Sequence, residues 1–270
     1  MEVDISIIIP CFNHGDFIVD ALNSFSEISG VSLEIIIVND GSTDAHTIQV
    51  LSDLENQGFI IVNQKNLGLA AARNTGVLRS RGEYILPLDA DNKVKPDYVL
   101  KALKILKNHQ GDIVYGDPEF FGEMVPSRFF SPKDFDINEM ILGNYIDACA
   151  VFRRSVWELI GGYDGNMPFP GHEDWEFWIH AYKIGFKFVH LSEKLYYYRI
   201  SNNSMIVSTS IEDKGSFNHK YIVDKHFDLF LKLNYNHSKL RKIRKKELDN
   251  PFRSAFRFFL IGLRILKPKF

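Results

Sequence analysis

Tyr84-Ile85-Leu86-Pro87-Leu88-Asp89-Ala90-Asp91 is an apolar run that ends in two carboxylates one residue apart. Such a run fits a strand buried on both faces of a parallel sheet. Three similar runs lie upstream, at residues 5–9, 33–38 and 59–62. Helical patterns separate them. Phe17, Ala21, Leu22 and Phe25 share one helical face, and residues 67–78 are alanine-rich. This alternation predicts an α/β domain with a mostly parallel sheet flanked by helices. A helix over 98–107 and a strand over 113–115 continue it. After residue 116 the alternation fades. Strands are expected over 148–152, 186–190 and 195–199. A helix is expected over 175–184, with Gly185 ending it. From residue 212 the pattern is helical and increasingly basic. The chain thus divides into a domain over 1–205 and a helical extension over 206–270.

With 45% hydrophobic and 24% charged residues the 270-residue chain can bury a sizeable core. A net charge of −2 argues against a polyanion binder, and no nucleic-acid motif is present. Cys11 and Cys149 have neither disulfide nor metal spacing, which points to a reducing compartment. The first apolar run is too short for a signal-peptide core and has no basic leader. No stretch reaches the ~20 apolar residues needed to span a bilayer. The expected location is cytoplasmic, peripheral on the inner face of the membrane if the tail binds lipid.

The polar residues sit where an α/β sheet binds ligands, beyond the carboxyl ends of its strands. The first strand runs into Pro10-Cys11-Phe12-Asn13, the second into Asn39-Asp40-Gly41-Ser42, the fourth into Asp89-Ala90-Asp91. Asp89 and Asp91 offer hard oxygens suited to Mg²⁺ or Mn²⁺ holding a diphosphate, or they form a solvated turn. Asp40 is placed to accept a proton from a base N–H. Ser42, Thr43 and Asp44 read better as a turn and helix cap. Arg73 either clamps phosphate through its guanidinium or lies on a solvated helix face. Gly68 either lets that helix approach closely or opens it. Glu173-Asp174 begins a helix, where carboxylates complement the dipole, and either is also placed to act as a base. Trp178 reads as core, while Trp175 reads equally as core or sugar platform.

Several motifs together resemble family 2 glycosyltransferases of the GT-A fold. They are Ser6–Asn13, Val38–Asp44, Asn66–Gly76, Leu88–Asp91, Phe152-Arg153-Arg154 with Gly161-Gly162-Tyr163-Asp164, His172–Trp178, and Tyr198-Arg199 with Ser204. The resemblance covers about residues 3–205 and follows one order. It implies a Rossmann-like sheet and an inverting transferase using a nucleotide-sugar, with UDP the expected nucleotide. Pro10 and Phe12 would line the nucleotide, Asp40 would bind uracil, Arg73 would reach the diphosphate and Asp89 the ribose. Asp91 would carry the metal, Asp174 would be the catalytic base, and Glu173 would shape the acceptor side. Ser201 stands where many members have a histidine, leaving Asp91 the one strong protein ligand.

From residue 239 the only acidic residues are Glu247 and Asp249. Phe252, Phe256, Phe259, Leu263 and Leu266 recur at helical spacing among arginines. Such a helix suits an anionic membrane surface, or packs on the domain or a twin subunit in a homo-oligomer. Membrane contact would fit a glycan or lipid-linked acceptor in cell-surface polysaccharide synthesis. Two rivals are a sugar nucleotidyltransferase and a catalytically idle scaffold. The first would need a glycine-rich basic loop after the first strand, which Pro10–Gly15 does not supply.

Overall fold

The computed structural model of the chain describes residues 3–123, 129–201 and 214–234, together with 238, 245 and 249. The four apolar runs form β1 (Ile5–Cys11), β2 (Leu33–Asp40), β3 (Ile60–Gln64) and β4 (Tyr84–Pro87). They pair in parallel in the order β3-β2-β1-β4. Helices α1 (Gly15–Asn23), α2 (Ala45–Asn56) and α3 (Leu69–Arg79) connect them.

Side chains alternate across β1, so its two faces meet different helices. Ile5, Ile7, Ile9 and Cys11 join a core with Ile18 and Leu22 of α1 and with Leu51 and Leu54 of α2. Ile8 faces α3 instead. A Cβ added to Gly76 would lie 2.3 Å from the Ile8 Cγ2, so α3 lies close on the sheet because position 76 has no side chain. Gly68 has open space around its Cβ position and a φ of 89°, so it opens α3 rather than admitting a close approach.

Beyond β4 the chain forms β5 (Lys93–Val94), α4 (Pro96–Lys107), β6 (Ile113–Gly122), α5 (Ile137–Met140), β7 (Val151–Arg153), α6 (Arg154–Ile160), α7 (Glu173–Ile184), β8 (Phe188–Ile200) and α8 (Lys214–Lys225). Among the described residues the eight strands form one sheet, ordered β3-β2-β1-β4-β7-β6-β8-β5. β7 runs antiparallel between β4 and β6, and β8 is parallel to β6. Two strands were expected over 186–199, but β8 is continuous. Exposed Ser192, Glu193 and Lys194 look like a break in sequence, whereas register shifts around Asp117 carry the pairing past them.

Contacts divide the chain into two compact units, Met1–Ile222 and Val223–Phe270. In the second, residues 227–234 are helical, with Phe227 and Leu231 exposed. The basic stretch 239–270 lies outside the described residues, except for exposed Lys245 and Asp249. No helix among the described residues is long and apolar enough to cross a membrane.

Candidate active site

The carboxyl ends of β1, β2 and β4 carry Phe12, Asp40 and the Asp89–Asp91 loop. Pro10 is buried at the end of β1, and Phe12, just past it, is 42% exposed. Asn13 turns the chain with a φ of 56°, and its side-chain oxygen accepts from the Thr43 and Asp44 amides at 2.8 and 3.0 Å. Asp44 caps α2 by accepting from the Thr47 amide at 2.7 Å, which is the structural role expected of it.

Asp40 is buried, and its carboxylate is already engaged. It accepts from the Gln64 side-chain amide at 2.7 Å and from the Leu67 and Gly68 backbone amides, each at 2.9 Å. These bonds shape the loop that starts α3. A carboxylate offers about four acceptor directions, so roughly one remains for a base N–H.

Arg73, one turn along α3, is 2% exposed. Its Nη2 donates to the Asp89 Oδ1 at 2.8 Å and its Nη1 to the Glu173 Oε1 at 2.9 Å. Burial works against its charge, but Asp89 and Glu173 outweigh that, so the guanidinium is held charged. Among the described residues its Nε has no hydrogen-bond partner, and the Tyr163 ring lies 5.5 Å from its central carbon. Both terminal nitrogens bridge the β4 loop to the start of α7.

Arg199 of β8 holds the other side of that loop. Its backbone N–H donates to the Asn92 Oδ1 at 2.8 Å and its Nε to the Asp91 carbonyl at 3.1 Å. The Phe17 and Phe121 rings each lie 4.4 Å from its guanidinium carbon. The Asp91 carboxyl is pushed up to about 6, first by burial and then by Asp89. The two neighbouring carboxylates offer the hard oxygen donors a divalent cation takes, and the His14 side chain also acts electrostatically on Asp91.

Asp174 stands beside Glu173 at the start of α7. Its Oδ1 accepts from the Trp175 amide at 2.8 Å and its Oδ2 from the Asn144 side chain at 2.9 Å. Burial, then the neighbouring Glu173 charge, pushes its carboxyl up to about 7. Trp175 and Trp178 are both buried, and they donate to the Met140 carbonyl at 2.7 Å and the Ile146 carbonyl at 3.1 Å. Both indoles therefore tie the 140–146 loop to α7, and Trp175 is core rather than a sugar platform.

Sequence reasoning missed Asp147. Its Oδ1 accepts from the Cys149 amide at 2.9 Å, and its carboxyl is pushed up to about 8 by burial and then by Asp89 and Asp174. The available signal was a lone charge inside the apolar run Tyr145–Val151. Asp147, Asp89, Asp91 and Asp174 all act electrostatically on the Tyr198 phenol, whose pKa is raised first by burial. Four carboxyl groups, from the β4 loop, the loop before β7 and the start of α7, thus lie within electrostatic reach of one phenol.

An open, mostly parallel sheet with carboxylates beyond its strand ends is an α/β architecture that binds ligands at those ends. A sequence profile for glycosyl transferase family 2 matches residues 6–160. The chain belongs to that family. It is 27% identical to glycosyltransferase GlyA of Streptococcus pneumoniae serotype 4, over 74% of this chain and 31% of that one. It is 25% identical to the amylovoran biosynthesis glycosyltransferase AmsB of Erwinia amylovora, over 79% and 74%. The S. aureus TarS 1-349 structure in complex with UDP-GlcNAc superposes with a TM-score of 0.61 at 22% identity, covering 76% of this chain and 61% of that chain. The chain spans less than two thirds of the length of GlyA and of TarS 1-349.

Proposed function

We propose that the chain transfers a sugar from a UDP-sugar to a hydroxyl of a glycan or lipid-linked acceptor, with inversion, in cell-surface polysaccharide synthesis. The observation that carries this reading is that Arg73 ties Asp89 to Glu173, which brings the loop of Asp91 and the helix start of Asp174 together, within electrostatic reach of the same Tyr198 phenol. An in-line displacement needs a base for the incoming hydroxyl and charge neutralisation at the leaving group. UDP-GlcNAc bound to TarS, and the amylovoran role in the name of AmsB, support the donor and product classes.

Asp91, with Asp89 beside it, would hold Mn²⁺ or Mg²⁺, and the bound ion would supply Lewis-acid stabilisation of the departing diphosphate. Asp174 takes the proton from the acceptor hydroxyl at its carboxylate. A pKa raised to about 7 makes it a stronger base than an ordinary aspartate while leaving much of it ionised near neutrality. The Asn144 amide and the Trp175 N–H fix the direction of that carboxylate. Arg73 keeps Glu173 and Asp89 in register, so the two halves of the site hold one spacing. Phe12 lines the base with its exposed ring, and Asp40 accepts the uracil N–H.

The domain over 1–205 carries this chemistry, and residues 239–270 bring it to an anionic membrane surface. The test is a donor panel followed by nucleotide release with Mn²⁺, Mg²⁺ or chelator. Metal-dependent release of UDP is expected. Release of pyrophosphate from a parallel mixture of nucleoside triphosphate and sugar 1-phosphate, with no UDP from any donor, would make the chain a nucleotidyltransferase, and no release in either assay would favour a scaffold.

A further inference from the structure

The chain enters α7 through two successive left-handed residues, Gly171 with a φ of 94° and His172 with a φ of 69°. Left-handed backbone is unfavourable for a residue with a Cβ, and it persists where the surroundings over-determine it. The His172 carbonyl also accepts the first-turn bond of α7, from the Glu176 amide at 3.0 Å. Whatever holds this turn therefore sets the direction in which Glu173 and Asp174 leave the backbone.

Residues 217–221 of helix α8, which belong to the first compact unit, supply that hold. Asn218 has no exposed surface. Its Oδ1 accepts from the Phe169 amide at 3.0 Å, and its Nδ2 donates toward the Phe169 carbonyl at 3.1 Å and the Gly171 carbonyl at 3.0 Å. The His172 Nδ1 lies 3.3 Å from the same nitrogen. One side-chain amide thus pairs with both backbone groups of Phe169, as a neighbouring strand would, and reaches the carbonyl just before His172. Neighbours on α8 touch the same loop and α7 at other points. The Phe217 ring meets Phe169 edge-on at 5.8 Å, and His219 stacks on Trp175 at 5.2 Å. The Tyr221 hydroxyl donates to Asp164 at 2.9 Å, at the start of the loop. Asn218 touches none of the four carboxyl groups, so its influence on them passes through the turn.

We infer that Asn218 is a positioning residue whose side-chain amide fixes the left-handed entry to α7 and so aims the Glu173 and Asp174 carboxylates. Its effect on turnover rests on the reading of Asp174 as the base, whereas the hold on the turn does not. Placement errors of about 1 Å can cost about a hundredfold in rate.

The test is amide hydrogen exchange on the full chain, comparing wild type with Asn218→Ala, Asn218→Asp and Tyr221→Phe. In Asn218→Ala, exchange over residues 166–172 and the first turn of α7 should accelerate about tenfold or more, while β1 to β4 stay protected. Asn218→Asp retains an acceptor for the Phe169 amide but sets a carboxylate against two carbonyls. It should keep protection at Phe169 and lose it at the α7 turn. Tyr221→Phe should leave the α7 turn unchanged. With UDP-GlcNAc and Mn²⁺, Asn218→Ala should lose about tenfold to a hundredfold in UDP release, with UDP affinity within about twofold of wild type. Unchanged exchange at the α7 turn in Asn218→Ala overturns the inference. So does failure of both Asn218 variants to fold, which would make the residue a support of the whole unit. A wild type that releases no UDP would count against the proposed function alone, because the exchange measurement would still decide the role of Asn218.

Discussion

Replacing Arg73 distinguishes a bridge from a phosphate clamp. Arg73→Met keeps most of the side-chain volume and removes the cation between Asp89 and Glu173, which it holds at 2.8 and 2.9 Å. Stripping one partner from a buried ion pair costs about 3–5 kcal/mol, because the remaining charge is left uncompensated. At about 2–4 °C per kcal/mol for a domain of this size, the thermal midpoint should fall by roughly 6–20 °C. Arg73→Lys keeps a charge but cannot span both acceptors. Losing one charge-assisted bond should cost about 1.5–3 kcal/mol, or roughly 3–12 °C. Scanning calorimetry with no nucleotide present reads both values. A clamp would show the opposite pattern, with an unchanged midpoint in the apo protein and a large loss of UDP affinity. A fall of less than about 2 °C in Arg73→Met would refute the bridge.

Three further outcomes are expected. Asp174→Asn should lower UDP release by about a hundredfold or more while nucleotide binding survives, and wild-type turnover should rise with pH through about 7 as the base ionises, so a rate that falls between pH 5 and 8 would contradict the assignment. The raised pKa values of Asp147, about 8, and Asp174, about 7, mean that the folded chain holds protons the unfolded chain has released. Stability in chelator should therefore decline as pH rises from about 4 to about 8, and Asp147→Asn should flatten that decline in urea titrations. Gly76→Ala sets a methyl 2.3 Å from the Ile8 Cγ2. It should cost about 1–3 kcal/mol, visible as a midpoint lower by about 2–12 °C, and a neutral result would mean α3 does not lie against β1 as described.

Much of the donor half was legible because its signals are local. Strands buried on both faces need unbroken apolar runs, and residues 5–9, 33–38 and 84–88 have them. Their ends must be polar, and Asp40, Asp89 and Asp91 occupy those ends. Beyond residue 116 the signals weaken. β7 spans only Val151–Arg153, shorter than the run from 148 that predicted it, and β8 crosses a polar stretch that looked like a gap. Asp147 was overlooked because a loop has no period against which to judge a single charge.

The amino-acid sequence alone determined the α/β class, the parallel half of the sheet and the family, since apolar periodicity and ordered motifs are properties of neighbours in the chain. Tertiary structure decided what each polar group does. Arg73 and Glu173 are 100 residues apart, and Asp40 is 28 from the Gly68 amide it binds. No residue pattern states which donor meets which acceptor across such distances. Packing decides it, because buried charges and amides must find partners, and only the folded chain determines which ones lie within reach.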